Sequence, residues 1–232
     1  MAFDGDGTLW SGDVGEDLFR AALRDNFLVE AALPALLAEA EQHRVPLNGA
    51  RDANSVASLL VAAYLAGTYP EREICALMAW SYAGRSLSDV QALAQAVVEQ
   101  ERLPTRLHEE LAPILEWSRQ RGLRNVLISA SPRVVVQPAA ALWGFAASDV
   151  VAATPTVVEG RVQARLAAPV PYAEAKVSAG RELFGDARWL ASFGDNVFDI
   201  DMLTTAELGV AVRPKPKLAS ELGALRLRLL AR

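Results

Sequence analysis

The chain has 232 residues, of which 52% are hydrophobic, and a formal net charge of −5 at pH 7. This length suits one α/β domain, with or without an insertion, and the acidic balance argues against a nucleic-acid partner, which normally requires a basic surface. Cys75 is the single cysteine, so an intrachain disulfide is excluded and a thiolate metal site is not expected.

The apolar segments of the chain are short. The longest of them, around residues 59–66, is far too short to span a bilayer, so no membrane partner is expected. The chain opens on an acidic turn without a basic start and an apolar core, which argues against a signal peptide. We therefore expect a cytoplasmic protein.

The first predicted element is a stub of β-strand that runs directly into an acidic, glycine-rich turn, residues 3–8 with the sequence FDGDGT. Asp4 and Asp6, two residues apart, would lie on one face of a continuous strand, and Gly5 and Gly7 allow the chain to turn at once. Both carboxylates can then meet at the exit of the strand, where parallel α/β sheets bind ligands. Carboxylates and free backbone N–H groups favour a hard cation and a phosphate, although Asp-Gly pairs also form ordinary turns.

The pattern after this turn is helical and rich in Ala and Leu up to residue 100, with loop signals near residues 46–49, 67–70 and 84–86 and with no convincing strand. Strands and helices alternate after Pro104. The predicted elements there are a helix at 105–120, a strand at 125–128, a helix after 132, a strand at 149–153, a hairpin at 156–162, a helix at 172–184, and strands at 189–193 and 208–212 with a short helix between them.

The alternation predicts an α/β fold with a doubly wound, Rossmann-like parallel sheet. Because the first strand belongs to the same sheet, the helical segment would be an insertion. The expected domains are an α/β core of residues 1–12 and 101–232 and an all-helical cap of residues 13–100. The basic run at residues 213–217 is expected to be a stiff surface loop.

Polar side chains follow or precede two more predicted strands. Ser129 follows the strand at 125–128, Asp195 and Asp199 follow the strand at 189–193, and Lys176 lies on the helix before it. Lys176 is one of three lysines beside twenty arginines, which suggests that a compact ammonium is needed there. Each residue also has an ordinary interpretation, a helix cap for the serine and the acids and a solvated face for the lysine. All of them at one sheet edge favour a phosphoryl-transfer site.

The order of these motifs resembles the haloacid dehalogenase superfamily of aspartate-nucleophile phosphohydrolases. The resemblance lies in residues 3–9 (FDGDGTL), residues 127–131 (LISAS), Lys176, and Gly194-Asp195 with Asp199. Within the superfamily the chain is similar to the phosphoserine-phosphatase-like branch, whose helical cap follows the first motif. Residues 12–13 (GD) and 158–162 (VEGRV) also resemble that branch.

The resemblance implies a role for each matching residue. Asp4 would be the nucleophile that forms an aspartyl-phosphate, and Asp6 would act as general acid on the leaving alcohol and then as base on water. Magnesium would be held by Asp4, the backbone carbonyl of Asp6, and Asp195. The expected phosphate-binding groups are those of Gly7, Thr8, Ser129, Ala130 and Lys176. Asp199 would orient Lys176 or nearby waters.

The expected partner is a small phosphomonoester, chosen by the cap that closes over the site. Trp10, Asp13 and Glu16 at the start of the cap are candidates for substrate contact, although Trp10 could instead pack between the domains and Asp13 could cap the first cap helix. An acidic start of the cap favours an amine-bearing substrate such as phosphoserine or phosphoethanolamine. Arg51 and Arg85 are candidates for binding a substrate carboxylate.

Three other functions stay open at this point. The acceptor could be a second alcohol instead of water, which would make the protein a phosphotransferase. A receiver domain also phosphorylates an aspartate on a parallel sheet, but the Asp6 position and the helical insertion oppose that interpretation. A binding protein on an inactive scaffold is opposed by the intact acids, Ser129 and Lys176. The sequence does not indicate an oligomeric state.

Overall fold

The computed structural model describes residues 1–230. Its strands are β1 (Ala2–Phe3), β2 (Val126–Pro132), β3 (Val150–Ala153), β4 (Pro155–Val158), β5 (Arg161–Leu166), β6 (Ala191–Gly194), β7 (Leu208–Val212) and β8 (Arg228–Leu230). Six of them form a parallel sheet in the order β3-β2-β1-β6-β7-β8, and β4 and β5 form a separate antiparallel hairpin. The predicted doubly wound parallel α/β fold is confirmed.

The helices surround this sheet and fill the stretch between β1 and β2. They are α1 (Val14–Arg24), α2 (Leu33–Gln42), α3 (Ala53–Leu65), α4 (Glu71–Trp80), α5 (Leu87–Gln100), α6 (Ala112–Gln120), α7 (Arg133–Ala141), α8 (Ala175–Phe184), α9 (Ile200–Thr205) and α10 (Pro216–Glu221). None of the described helices has the length and apolar character that crossing a membrane requires.

The central strand β1 has only two residues, and its position decides where the acidic turn lies. Ala2 and Phe3 are fully buried, and they pair with β2 on one side and β6 on the other. The rings of Phe3 and Phe193 stack at 4.4 Å between centroids. The backbone N–H of Asp4 then donates to the carbonyl of Phe193 at 2.9 Å, so Asp4 lies at the carboxyl edge of the sheet.

The predicted helical character of residues 16–100 is confirmed, since the described strands lie outside this segment, and the first helix begins slightly earlier, at Val14. Three of its helices begin at side-chain N-caps, in which Asp13, Asp52 and Ser86 accept hydrogen bonds from backbone N–H groups of the first turn. Helix α4 packs against β2 and the β4–β5 hairpin, which brings the helical segment over the sheet edge. The assignment of core and cap boundaries stays a prediction.

Some predicted elements begin later than expected, and one strand was missed. The helix expected at residue 105 begins at Ala112, because Leu107 is extended and pairs with Trp10. The helix expected at residue 172 begins at Ala175, and β8 gave no recognisable signal. The basic run at 213–217 is not simply a surface loop, since Pro216 begins α10.

Candidate active site

The carboxyl ends of β1, β2 and β6 border an open cleft of about 470 Å³, including the solvent at its mouth, under the helical segment. The predicted site residues that line it are Asp4, Asp6, Asp13, Ser129, Ala130, Lys176, Asp195 and Asp199. They come from segments up to 195 positions apart in the chain, so the sheet brings together what the sequence separates. Gly7, Thr8, Trp10 and Glu16 do not line this cleft.

A buried lysine joins two of the carboxylates. The Lys176 ammonium lies 2.6 Å from Oδ1 of Asp4 and 2.6 Å from Oδ1 of Asp199. Burial acts to lower the pKa of Lys176, but Asp199 and Asp4 outweigh it, and the net pKa is raised. Lys176 is therefore charged at all working pH values and carries a fixed positive charge to the nucleophile candidate.

The three buried carboxylates of Asp4, Asp195 and Asp199 offer oxygen atoms within 4.8 Å of one another. Burial raises the pKa of Asp4 to about 7 even though Lys176 acts to lower it, and burial followed by the charge of Asp4 raises the pKa of Asp195 to about 8. Such a donor set, made of hard oxygens that repel one another when ionised, fits Mg²⁺.

The available oxygens favour Asp195 over Asp199 as a cation ligand. Oδ1 of Asp199 accepts from Lys176, and its Oδ2 accepts from the backbone N–H groups of Asp195 and Asn196 at 3.1 and 3.0 Å. Asp199 is thus engaged both in the lysine contact and in a capping box. The sequence left open whether Asp199 caps a helix or belongs to the site, and in the structure it does both.

Asp6 is held by donors of two kinds. Its Oδ1 accepts from the Trp10 indole Nε1 at 2.8 Å and from the Val14 backbone N–H at 2.7 Å, and its Oδ2 accepts from the Ser131 hydroxyl at 2.8 Å. Burial, and then the charge of Asp13, raises the pKa of Asp6 to about 7, against the hydrogen bonds that act to lower it. A carboxyl group with this pKa can exchange a proton near neutral pH.

The expectation that Gly7 and Thr8 donate backbone N–H groups to a phosphate does not match the loop geometry. The Gly7 N–H donates to the Trp10 carbonyl at 2.8 Å and the Thr8 N–H to the Gly5 carbonyl at 3.1 Å, because the loop closes on itself. Within residues 1–230 the backbone N–H groups of Gly5 and Asp6 have no such partner. These two N–H groups are the better donors for an anion.

Gly7 and Thr8 instead shape the loop around the carboxylates. Gly7 has φ of +83°, and a Cβ at this position would lie 2.3 Å from Oδ2 of Asp195, so any side chain would displace that carboxylate. The Thr8 hydroxyl donates to Oδ2 of Asp4 at 3.3 Å from a fully buried position. His108 adds a contact between its Nδ1 and the Thr8 carbonyl at 2.8 Å.

The candidates for substrate contact differ in where their side chains lie. Trp10 is fully buried against the loop and does not line the cleft. Asp13 lines the cleft and also caps α1 by accepting from the Glu16 N–H at 2.8 Å. Glu16 lies at an apolar groove of the helical segment outside the cleft. Arg51 is exposed away from the cleft, and Arg85 donates to the Phe27 carbonyl, so neither lines the cleft.

Other side chains also line the cleft: Ser131 belongs to the motif at 127–131, whereas no role was predicted for Glu71, Cys75, Tyr172, Asn196, Phe198 and Lys215. Lys215 lies 3.4 Å from Oδ2 of Asp195. Lysine is rare in this sequence, and this rarity, which singled out Lys176, applied equally to Lys215. It was the one sequence feature that could have indicated Lys215 as a site residue. Glu71 and Cys75 lie one helical turn apart on α4, and only the packing of α4 on the sheet brings them to the cleft. No local sequence pattern therefore indicated them as site residues.

Comparison with known proteins shows which family this chain resembles in sequence and which solved structures share its fold. A family model for haloacid dehalogenase-like hydrolases matches residues 1–204. No curated protein matches the chain significantly. Among solved structures, a protein with unknown function from Bordetella pertussis Tohama I has 18% sequence identity and a TM-score of 0.77, over 99% of this chain and 96% of that one.

Two further solved structures share the fold. A HAD family hydrolase from Salmonella enterica serovar Typhi has 15% identity and a TM-score of 0.62, over 95% of this chain and 64% of that one. A substrate-bound phosphoserine phosphatase has 14% identity and a TM-score of 0.59, over 100% of this chain and 92% of that one. The family model covers most of the chain, and the acidic loop that it includes lies at the sheet edge where the cleft is found. The protein belongs to the haloacid dehalogenase-like hydrolase family.

Proposed function

We propose that the protein is a Mg²⁺-dependent phosphatase that hydrolyses a small phosphomonoester through an aspartyl-phosphate on Asp4. The single observation that carries the proposal is the contact of the Lys176 ammonium with both Asp4 and Asp199 at 2.6 Å, beside the carboxylate of Asp195. A phosphoryl group needs such a combination, because positive charge must balance its oxygens while an ionised carboxylate attacks phosphorus. A solved phosphoserine phosphatase of the same fold carries a phospho-aspartyl intermediate analogue.

The first step transfers the phosphoryl group from substrate to enzyme. A carboxylate oxygen of Asp4 attacks phosphorus, and the bond from phosphorus to the leaving oxygen breaks with its electron pair on that oxygen. Asp6 donates its proton to the leaving oxygen, and Lys176 balances the charge on the phosphoryl oxygens. The Ser129 hydroxyl and the N–H groups of Gly5 and Asp6 are the donors that would hold those oxygens.

The second step returns the enzyme to its starting state. Asp6, now ionised, takes a proton from water, and the water oxygen attacks phosphorus while the bond to Asp4 breaks. Phosphate leaves, Asp4 regains its carboxylate, and Asp6 is protonated again. Asp4, Asp195 and the Asp6 carbonyl would hold Mg²⁺, which supplies positive charge that neutralises the repelling carboxylates and the phosphoryl oxygens.

Asp13 and Glu71 also line the cleft, and their acidic side chains support an amine-bearing substrate. None of the arginines within residues 1–230 lines the cleft to hold a substrate carboxylate, and its two lysines contact Asp4, Asp199 and Asp195. Phosphoethanolamine therefore fits this cleft better than phosphoserine.

The test is phosphate release from a panel of phosphomonoesters with Mg²⁺. We expect Asp4→Asn to reduce turnover at least about 10³-fold, while Asp186→Asn, an exposed acid away from the cleft, leaves it unchanged. Excess chelator should abolish turnover. Full activity in chelator, or in the Asp4 variant, would contradict the proposal. Alcohol phosphorylation in excess of phosphate release would identify a phosphotransferase instead.

A further inference from the structure

Trp10 makes a direct contact with the proposed general acid. Its indole Nε1 donates to Oδ1 of Asp6 at 2.8 Å, and its side chain is 0% exposed. The Gly7 N–H donates to the Trp10 carbonyl, and Trp10 pairs with Leu107. A Cβ on Gly5 would lie 2.9 Å from the indole ring, so the ring is packed directly on the loop that carries both aspartates.

The two oxygens of Asp6 have chemically different neighbours. Oδ1 accepts from two N–H groups, those of Trp10 and of the Val14 backbone, and an N–H group can only donate. A proton on Oδ1 would therefore face two donors. Oδ2 faces the hydroxyls of Ser131 at 2.8 Å and Ser129 at 3.5 Å, and a hydroxyl can accept as well as donate. The acid form of Asp6 thus carries its proton on Oδ2.

We propose that Trp10 is a positioning residue that directs the proton of Asp6 to Oδ2 and holds that oxygen in the cleft for transfer to the leaving group. The proposal rests on the proposed phosphatase function. In the first step the Oδ2–H bond breaks and its proton goes to the leaving oxygen, which has taken the electron pair of its bond to phosphorus. In the second step Oδ2 takes one proton from the attacking water.

If Trp10 positions Asp6, the loss of activity on substitution of Trp10 should depend on the leaving group of the substrate. An alkoxide leaves poorly without a proton, whereas p-nitrophenolate leaves as a stable anion. We expect Trp10→Phe, which keeps a ring but removes the N–H, to lower kcat/KM for the best alkyl phosphate about 10- to 100-fold and for p-nitrophenyl phosphate less than about threefold. Asp6→Asn calibrates the assay, since it should show the same selectivity with a larger factor.

Trp143→Phe is the matched control. The Trp143 indole Nε1 donates to the Leu9 carbonyl at 3.1 Å, so this substitution also removes an indole hydrogen bond to the same loop but does not touch Asp6. It should change kcat/KM for both substrates by one common factor. An equal loss for both substrates in Trp10→Phe would overturn the positioning role while leaving the phosphatase proposal intact. Wild-type protein that turns over neither substrate would overturn the phosphatase proposal and this one with it.

A second measurement needs no Trp10 variant. In protein labelled with ¹⁵N-tryptophan, Asp6→Ala removes the acceptor of the Trp10 indole N–H and leaves that of Trp143 in place. We expect one indole resonance to shift strongly and to exchange faster with solvent, while the Trp143 resonance moves little. Five unchanged indole signals would overturn the contact on which the positioning role depends.

Discussion

The Lys215 ammonium lies 3.4 Å from Oδ2 of Asp195, and the Lys215 backbone N–H donates to the Asp195 carbonyl at 2.8 Å. The loop after β7 is therefore fastened to the loop after β6 by a main-chain bond and a charge contact. Lys215 is more than half exposed, whereas Asp195 is buried, so the contact brings a surface charge to the buried carboxylate that we propose as a cation ligand.

Removing Lys215 should strengthen binding of Mg²⁺ to the free enzyme. The ammonium repels a divalent cation and competes with it for Asp195, so we expect Lys215→Ala to lower the Kd for Mg²⁺ about three- to tenfold. The measurement is calorimetric titration at pH 9, where Asp195, with a pKa of about 8, is ionised. Lys217→Ala, at an exposed position two residues on, is the control. A higher Kd for Mg²⁺ in Lys215→Ala would show instead that the lysine favours cation binding.

Removing the buried ammonium at Lys176 should destabilise the fold. Lys176→Met leaves the Asp4 and Asp199 carboxylates buried without their common partner, which should lower the free energy of unfolding at pH 8 by about 3–5 kcal/mol. The loss should shrink at pH 5, where Asp4 can be protonated. Urea denaturation of Lys176→Met and of the exposed-site variant Lys217→Met measures the difference. Equal midpoints at pH 8 would contradict the expectation.

Metal-free protein should become less stable as the pH rises from 5 to 8. Burial is the leading cause of the raised pKa values of Asp4, Asp6, Asp13 and Asp195, which are about 7, 7, 6 and 8. In the unfolded chain these groups titrate near their ordinary pKa of about 4. Between pH 4 and 8 the folded state thus binds more protons than the unfolded state, so the free energy of unfolding falls as the pH rises.

Urea denaturation in chelator at pH 5, 6.5 and 8 checks this slope. We expect the free energy of unfolding to fall by more than about 2 kcal/mol across this range. Mg²⁺ should stabilise the protein more at pH 8 than at pH 5, because it binds ionised carboxylates. Asp195→Asn, which cannot titrate, should flatten the slope. A rise in stability from pH 5 to pH 8 without metal would contradict the raised pKa values.

The carboxylate of Asp13 should select for amine-bearing substrates. Asp13→Asn keeps an N-cap for α1 but removes the charge, so we expect KM to rise for phosphoethanolamine and not for a neutral phosphate such as glycerol phosphate. Asp13→Ala should give the same selectivity and also lose about 1 kcal/mol of stability with the cap. KM values that rise equally for both substrates would refute the selection.

Several features of this protein could be predicted from local patterns. The apolar strands and the alternation after residue 104 predicted the sheet, because a strand buried on both faces must be apolar along its length. The acidic turn predicted Asp4 at a strand exit, since Gly5 and Gly7 permit the turn. The scarcity of lysine singled out Lys176, which makes the shortest contacts of the site. Other features gave no local pattern, such as the three-residue edge strand β8 and the late start of α6.

The sequence by itself determined the fold class, the acidic loop and the set of charged residues at the sheet edge, because these follow from periodicity, glycine positions and strand exits. Only the tertiary structure decided what the side chains do there. In the structure the Trp10 indole donates to Asp6, and Lys215 lies next to Asp195. The N–H groups of Gly7 and Thr8 are bonded within their own loop, and Glu71 lines the cleft. These contacts depend on the direction of each side chain and on packing between segments that are distant in the sequence. The local pattern of a single segment encodes neither of these two properties.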